Sequence, residues 1–247
     1  MPEDKEARQR KPRADRGPRL TDRDFSTLAW IAEQYAICAD HLAILLARHS
    51  EPKEYEPKQK VRGELTMQRT TEIIKRWEHI GLVERKVFNY GDPTWVWLTA
   101  QGLHLVSEQL GLFRSHSPVA ALINHYYWTN HARLYIEQQD PNLEWQSERE
   151  IKAGYEKLQS GGRRPHTPDA IIINDKGQRI ALEVELSTKT YSRLEKILLE
   201  LATSDYQYIW YFTLGRAKEV ARNAIHNMDA EYRYKFSVHP MEDLKLK

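Results

Sequence analysis

The segment from Pro168 to Lys189, PDAIIINDKGQRIALEVELSTK, constrains the fold of this chain more than any other stretch. An apolar, β-branched run at 170–173 is followed at 174–177 by Asn, Asp, Lys and Gly, which are turn residues. From 179 to 186 polar and apolar residues alternate, as they do in a strand with two different faces. The segment therefore predicts a β-hairpin.

Acidic side chains lie on both strands of this predicted hairpin. Folding it about its turn brings Asp169 opposite the neighbourhood of Glu183, and Glu185 shares a face with Glu183. Like charges facing each other across a strand pair are destabilising unless something neutralises them. A divalent cation would do so, because hard cations prefer carboxylate oxygens. The alternative is a structural hairpin with one solvated acidic face.

This arrangement resembles the PD-(D/E)xK nuclease superfamily, which has the restriction-endonuclease-like fold. Pro168-Asp169 matches its PD, and Glu183-Val184-Glu185 matches its (D/E)xK, with Glu in place of the usual Lys. The resemblance implies that Asp169 and Glu183 hold Mg²⁺, with Mn²⁺ as a substitute. It also implies that Glu185, or a displaced Lys189, helps to activate the attacking water. Position 185 thus departs from the usual motif, although some restriction enzymes of this fold also have Glu there.

The neighbouring segments fit the same core. Helical spacing at 191–202 and 217–228, and strand-like runs at 206–214 and 235–239, predict a helix, strand, helix, strand order after the hairpin. Before it, Ser147 and Glu150 form a capping-box pattern that predicts a helix start. Glu148 or Glu150 is then a candidate for an additional metal-binding acid, although helix capping and the helix dipole explain both acids equally well.

The N-terminal part predicts three helices followed by a second β-hairpin. Helix signals begin near Thr21, Asp40 and Thr66, and the expected buried side of the first helix includes Phe25 and Leu28. The third helix ends before Gly81, and strands at 82–88 and 94–98 flank a turn. The segment HIGLVERKVFNYGDPTWVWLTAQGLHLV resembles the recognition-helix-to-wing region of bacterial winged-helix regulators, including their L-T-x-x-G ending.

That resemblance implies a helix in the major groove and a wing on phosphates or in the minor groove. The competing interpretation is a protein-interaction module, since Glu72 and Glu78 dilute the positive charge of the third helix. The candidate DNA-binding residues are Gln68, Arg69, Thr71, Lys75 and Arg76 on the helix and Arg85, Lys86 and Tyr90 on the wing.

Charge and composition limit the partner classes. The net charge of the 247 residues is only +2, so nucleic-acid binding must come from local patches. A basic tail at 1–19 and the residues Arg163, Arg164 and His166 beside the acidic hairpin are such patches. A single cysteine, Cys38, excludes a disulfide framework. A charged N-terminus and the lack of a long apolar run predict a cytoplasmic protein without a membrane span.

A helix predicted at 118–138 joins the two parts. It carries His125 and His131, whose spacing of six does not suit a shared metal site on one helix face, and both are interpreted as ordinary polar or packing residues. In many winged-helix proteins a helix at this place dimerises the domain, so a homodimer is one expectation.

The whole order of segments resembles the replication-relaxation family of bacterial plasmids and integrative elements, across about 20–246. The segments on which this resemblance rests are the third helix and wing, NHARLYIE, WQSEREI, PDAII and ALEVELSTKTYSRLEKI. The expected fold is multi-domain α/β, with an N-terminal winged helix-turn-helix followed by a restriction-endonuclease-like domain with a mixed central sheet. The expected boundaries are a disordered tail at 1–19, the winged helix at 20–113, a connecting helix at 114–140 and the nuclease-like domain at 141–247.

Three functions follow as hypotheses. The first is a DNA-binding protein of a mobile element, acting on double-stranded DNA in replication, relaxation or mobilisation beside other replication, mobilisation or transposition proteins. The second is an active Mg²⁺-dependent endonuclease. The third is a transcriptional regulator whose nuclease fold is catalytically dead.

Overall fold

The computed structural model describes residues 19–50, 65–106, 115–157 and 166–246. Most of the expected basic tail, the polar loop after Ser50, and both Arg163 and Arg164 lie outside these described residues, so their predicted roles stay predictions. In the described ranges no helix is long and apolar enough to cross a membrane.

The N-terminal unit, residues 19–106 where described, is a set of helices packed on a small antiparallel sheet. Its strands are ordered β1-β3-β2. The three helices and the following hairpin were predicted, whereas the two-residue strand β1 was not, since it is defined only by pairing with β3. The elements are α1 (Asp22–Glu33), β1 (Ile37–Cys38), α2 (Ala39–Arg48), α3 (Met67–His79), β2 (Val83–Lys86), β3 (Trp95–Leu98) and α4 (Ala100–Val106).

Asp24 fixes the start of α1 and ties it to α3. Thr21 and Asp24 form a reciprocal capping box, which confirms the predicted helix start. Asp24 is fully buried, and its Oδ1 accepts hydrogen bonds from Arg76 at 2.5 Å and from the Trp77 indole at 3.2 Å. The expectation that Phe25 is buried is wrong, because it is 40% exposed while Trp30 faces the core instead.

The L-T-x-x-G segment after β3 closes the N-terminal unit. The Thr99 hydroxyl donates to the Gly81 carbonyl at 2.6 Å, and the Gly102 amide donates to the Thr99 hydroxyl at 3.0 Å. A Cβ on Gly102 would lie 2.0 Å from the Leu82 carbonyl oxygen. Position 102 therefore needs glycine because the backbone of the turn before β2 packs directly against α4.

A 3-10 turn at Ala120–Leu122 leads into α5 (Ile123–Gln139), which begins five residues later than the helix predicted at 118–138. The helix packs on both units. Toward the N-terminal unit, the Asn130 amide donates to the Ala36 carbonyl at 2.7 Å. Toward the other side, Ala132 and Ile136 belong to a core cluster with the large sheet. The helix is thus part of the core and not an exposed connector.

The C-terminal unit, residues 144–246 where described, is a mixed sheet with strand order β4-β5-β6-β7-β8. The first three strands pair antiparallel, and β6, β7 and β8 pair parallel. The elements are β4 (Glu144–Ser147), α6 (Glu148–Lys157), β5 (Ala170–Ile173), β6 (Arg179–Glu185), α7 (Tyr191–Ala202), β7 (Tyr208–Thr213), α8 (Ala217–His226), α9 (Ala230–Arg233) and β8 (Phe236–Pro240).

Most of this order was predicted. The hairpin of β5 and β6 forms in the expected register, with Ala170 paired to Leu182. Its turn follows the expected residues, with Gly177 at φ 71°. Strand β4 was missed, because residues 144–147 pair with β5 while their local pattern suggested only the helix start that follows. The Ser147 and Glu150 capping box is confirmed, with the Ser147 amide donating to Glu150 at 2.7 Å.

We expect Gly102→Ala to destabilise the protein by about 1–3 kcal/mol, because the new methyl group overlaps the Leu82 carbonyl and forces the backbone to shift. The matched control is Gly154→Ala in α6, where a Cβ meets no atom within 4 Å. That variant should be stabilised by about 0.5–1 kcal/mol through helix propensity. Urea denaturation of both variants checks this, and equal stability of the two would contradict the packing argument.

Candidate active site at the β5–β6 edge

Asp169 lies directly before β5 and is held from two sides. Its amide donates to the Leu182 carbonyl at 3.0 Å, which extends the strand pairing by one residue. Its Oδ2 accepts from the Val184 amide at 2.7 Å, and its Oδ1 accepts from Nε2 of His125 at 3.0 Å. The carboxylate is therefore oriented by the backbone of β6 and by an imidazole from α5.

Glu183 and Glu185 follow on the same face of β6. They are only 5% and 6% exposed, so the interpretation of a solvated acidic face is wrong for these two residues. Oε1 of Glu183 accepts from Nε2 of His166 at 2.8 Å. The carboxylate of Glu185 forms an ion pair with Nζ of Lys189, which lies four residues beyond the strand end in the segment before α7. The structure thus brings Asp169, Glu183, Glu185 and Lys189 together, as the sequence suggested.

Each of the three carboxylates has its own basic partner, and each partner comes from a different segment. Burying an unpaired carboxylate is costly, so these partners account for how three acids share one edge of a sheet. Burial raises the pKa of Glu183 above its ordinary value, while the hydrogen bond from His166 opposes this. Burial lowers the pKa of His166, but the hydrogen bond and charge of Glu183 together with the charge of Asp169 outweigh burial, and the net pKa is raised.

The two acids at the start of α6 have different surroundings. Glu150 is the capping-box acid, and both Ser147 groups donate to it. Glu148 instead lines a cleft together with Asp169 and His125. Its backbone amide donates to the Asp169 carbonyl at 3.1 Å, and its carboxylate pairs with Lys152 at 2.6 Å. Of the two candidates, Glu148 is the one beside the site.

The cleft next to Asp169 is lined by both units. Tyr35, between α1 and β1, stacks on Tyr126 of α5 with ring centroids 5.3 Å apart. The Arg149 guanidinium lies over the Tyr35 ring and donates to the Ala32 carbonyl at 2.5 Å. Burial raises the pKa of the Tyr35 hydroxyl well above its ordinary value, and the Glu148 charge adds to this shift. The N-terminal unit thus forms one wall of the carboxylate site.

The chemistry of the donor set suits a hard cation, since Asp169 and Glu183 present carboxylate oxygens at one edge. Two buried hydroxyl oxygens, on Tyr211 and Thr213 of the next strand, have no hydrogen-bond partner in the described part of the chain. Among the residues that the structure describes, however, no group of three or more His, Cys, Asp or Glu side chains is arranged to hold a metal ion. An incoming cation at Asp169 and Glu183 would compete with the His125 and His166 imidazoles.

The candidate DNA-binding residues are exposed or half-buried on α3, β2 and the turn after it. Three of the arginines are paired with acids: Arg69 with Glu72 at 2.9 Å, Arg85 with Glu78 at 2.8 Å, and Arg76 with the buried Asp24. Arg76 therefore has a structural contact whatever else it binds. Gln68, Thr71, Lys75, Lys86 and Tyr90 complete the set, and all of these but the half-buried Thr71 are exposed.

Sequence reasoning missed the contribution of His125. Both histidines were interpreted as ordinary polar or packing residues; His125 hydrogen-bonds to Asp169, a contact that was not predicted, whereas His131 packs internally and donates to the Leu244 carbonyl. No local pattern marks His125, which lies 44 residues before Asp169 and approaches it only through the packing of α5 on the sheet. His166 was expected near the acids because it directly precedes the hairpin.

Comparison of the chain with protein-family models, with curated proteins and with solved structures finds no match in any of the three. The geometry of the site is therefore the basis for the functional argument.

We expect Asp169→Asn to lower the pKa of His125. In the folded protein burial lowers this pKa, but the hydrogen bond and charge of Asp169, together with the charges of Glu148 and Glu183, outweigh burial and raise it above its ordinary value. Removing the Asp169 charge removes the largest of these opposing contributions, so the pKa should fall. Titration of the imidazole C–H resonances by NMR measures this. Asp175→Asn, in the exposed turn of the same hairpin, is the control that should leave His125 unchanged.

Proposed function

We propose that this chain is a DNA-binding protein that combines a winged-helix unit with a PD-(D/E)xK-like unit, of the replication-relaxation type. The observation that carries this proposal is the gathering of Asp169, Glu183, Glu185 and Lys189 at one end of β5 and β6. Buried acids concentrated at a strand end beside a cleft are costly for stability, so a function of the acids themselves is the better explanation.

Phosphodiester hydrolysis is the reaction that these groups favour. Asp169 and Glu183 would hold Mg²⁺ or Mn²⁺, which when bound supplies Lewis-acid polarisation of a phosphate and lowers the pKa of a bound water. Glu185 and Lys189 form a carboxylate–ammonium pair beside them. The carboxylate can accept a proton from an attacking water, and the ammonium can stabilise negative charge on phosphate oxygens. Lys189 would thus take the part that the motif usually gives to its third residue.

The element order of the N-terminal unit supports the DNA-binding half of the proposal. Helix α3 ends one short turn before the hairpin of β2 and β3, and its outward face carries Gln68, Arg69 and Lys75. A helix in the major groove and a hairpin on the adjacent backbone is how such an arrangement binds duplex DNA. The paired state of Arg69 and Arg85 reduces the local positive field, so phosphate contacts would include Lys75 and Lys86, which form no ion pair with any residue that the structure describes.

The second candidate function is a regulator with a catalytically silent nuclease fold. The observation that favours it is that each carboxylate already has a basic partner in the protein, namely His125, His166 and Lys189. An acidic site neutralised in this way persists without a metal ion. In that case the C-terminal unit would serve dimerisation or partner binding.

We expect wild-type protein to nick supercoiled DNA in Mg²⁺ or Mn²⁺, and Asp169→Asn and Glu183→Gln each to lose this activity, because both carboxylates bind the cation. DNA binding, measured in parallel by fluorescence anisotropy, should be retained in both variants. Asp175→Asn serves as the control acid and should nick like wild type. Tight binding without nicking in either metal would select the regulator instead.

We expect Lys75→Ala to weaken DNA binding about equally for all sequences and to reduce the slope of log affinity against log salt by about 1, as loss of one phosphate contact does. Lys176→Ala, in the exposed turn between β5 and β6, is the matched control and should leave the slope unchanged. Affinities measured across a salt series decide the matter. An identical slope for the two variants would place the DNA surface elsewhere.

A further inference from the structure

Two buried hydroxyl groups beside the carboxylate site have no hydrogen-bond partner among the residues that the structure describes. Tyr211 and Thr213 on β7 are both 0% exposed, and neither Oη of Tyr211 nor Oγ1 of Thr213 makes a hydrogen bond within the described residues. Leaving a buried hydroxyl unpaired costs about 1–3 kcal/mol, so two such groups in one place call for a physical reason.

Strand register puts both hydroxyl residues beside the acids. In the parallel pairing of β6 with β7, Glu183 is the partner of Tyr211 and Glu185 is the partner of Thr213. Register partners on neighbouring strands project from the same face of a sheet. The four side chains therefore form a two-by-two block of oxygen-bearing groups, with Asp169 next to Glu183 on the adjoining strand.

The surroundings of the block limit what it can bind. The charges of Glu183, Glu185 and Asp169 all act on the Tyr211 hydroxyl, although burial affects it more strongly. Three carboxylates would repel a phosphate or any other anion placed directly on the block. A neutral or positively charged ligand rich in O–H groups fits this block. Such a ligand can donate hydrogen bonds to the carboxylates, and it can donate to or accept from the hydroxyls.

We propose that the hydroxyls of Tyr211 and Thr213 hydrogen-bond to water molecules bound to the divalent cation at Asp169 and Glu183. This inference rests on the proposed function of the site and adds to it two residues from β7. Mg²⁺ suits such a block because it retains several waters when proteins bind it through one or two carboxylates. The hydroxyls would then position the cation indirectly, through hydrogen bonds to the water molecules that it binds.

The test is to remove each hydroxyl while keeping its shape, with Tyr211→Phe and Thr213→Val in the full chain. Two quantities are measured: the Kd for Mn²⁺ by isothermal titration calorimetry without DNA, and the metal-free stability by urea denaturation. Each variant should bind Mn²⁺ about 10-fold to 100-fold more weakly, as loss of an outer contact does. Neither should be less stable without metal, because only an unpaired group is lost.

Tyr208→Phe is the control on the same strand, since the Tyr208 side chain is 42% exposed and should affect neither quantity. Asp169→Asn tests the metal site itself and should abolish Mn²⁺ binding.

If Asp169→Asn abolishes binding while both hydroxyl variants keep the wild-type Kd, the inference is overturned and the proposed function stands. Loss of metal-free stability with an unchanged Kd would likewise overturn it, and would indicate a buried structural water. Absence of Mn²⁺ binding by wild type would reject the metal site and this inference together.

Discussion

The burial of carboxylates on β6 is the constraint on which the C-terminal unit depends. Glu183 and Glu185 lie on a central strand, where the same face that carries them also builds the core against α7 and α8. An ionised group in such a place needs a partner, because desolvation disfavours its charged form. Their partners come from the segment before β5 and from the segment after β6, and α5 supplies the partner of the neighbouring Asp169. The chain around the sheet is thus organised to bring bases to acids.

Helix α5 supplies one of these bases and also joins the two units. Arg133 on this helix forms ion pairs with Glu33 of α1 and Glu137 of its own helix, and its guanidinium lies over Trp30 and Trp145. Such a buried arginine, contacted by two indole rings and two acids, fixes how α1 and β4 approach each other. His125 lies eight residues before Arg133 on the same helix, a little over two turns away. The position of the N-terminal unit and the orientation of Asp169 therefore depend on one rigid element.

Residues from both units therefore line the site. Tyr35 comes from the N-terminal unit, Tyr126 and His125 come from α5, and Glu148 comes from the C-terminal unit, yet they line one cleft beside Asp169. A shift of the N-terminal unit would move Tyr35 relative to Glu148 and Asp169.

Local sequence determined the elements whose signals are local. The hairpin of β5 and β6, the capping boxes at Thr21 and Ser147, and the glycine turn after α3 followed from residue types within a few positions, because turn geometry and capping are short-range effects. Period-two alternation also placed Glu183 and Glu185 on one face. Strands β1 and β4 could not be found in this way, since each exists through pairing with a distant strand.

Only tertiary structure decided that the acidic face is buried, that His125 binds Asp169, and that Tyr211 and Thr213 lie beside the acids on the neighbouring strand. Each of those facts depends on which elements pack together, and long-range packing leaves no periodic trace in the sequence.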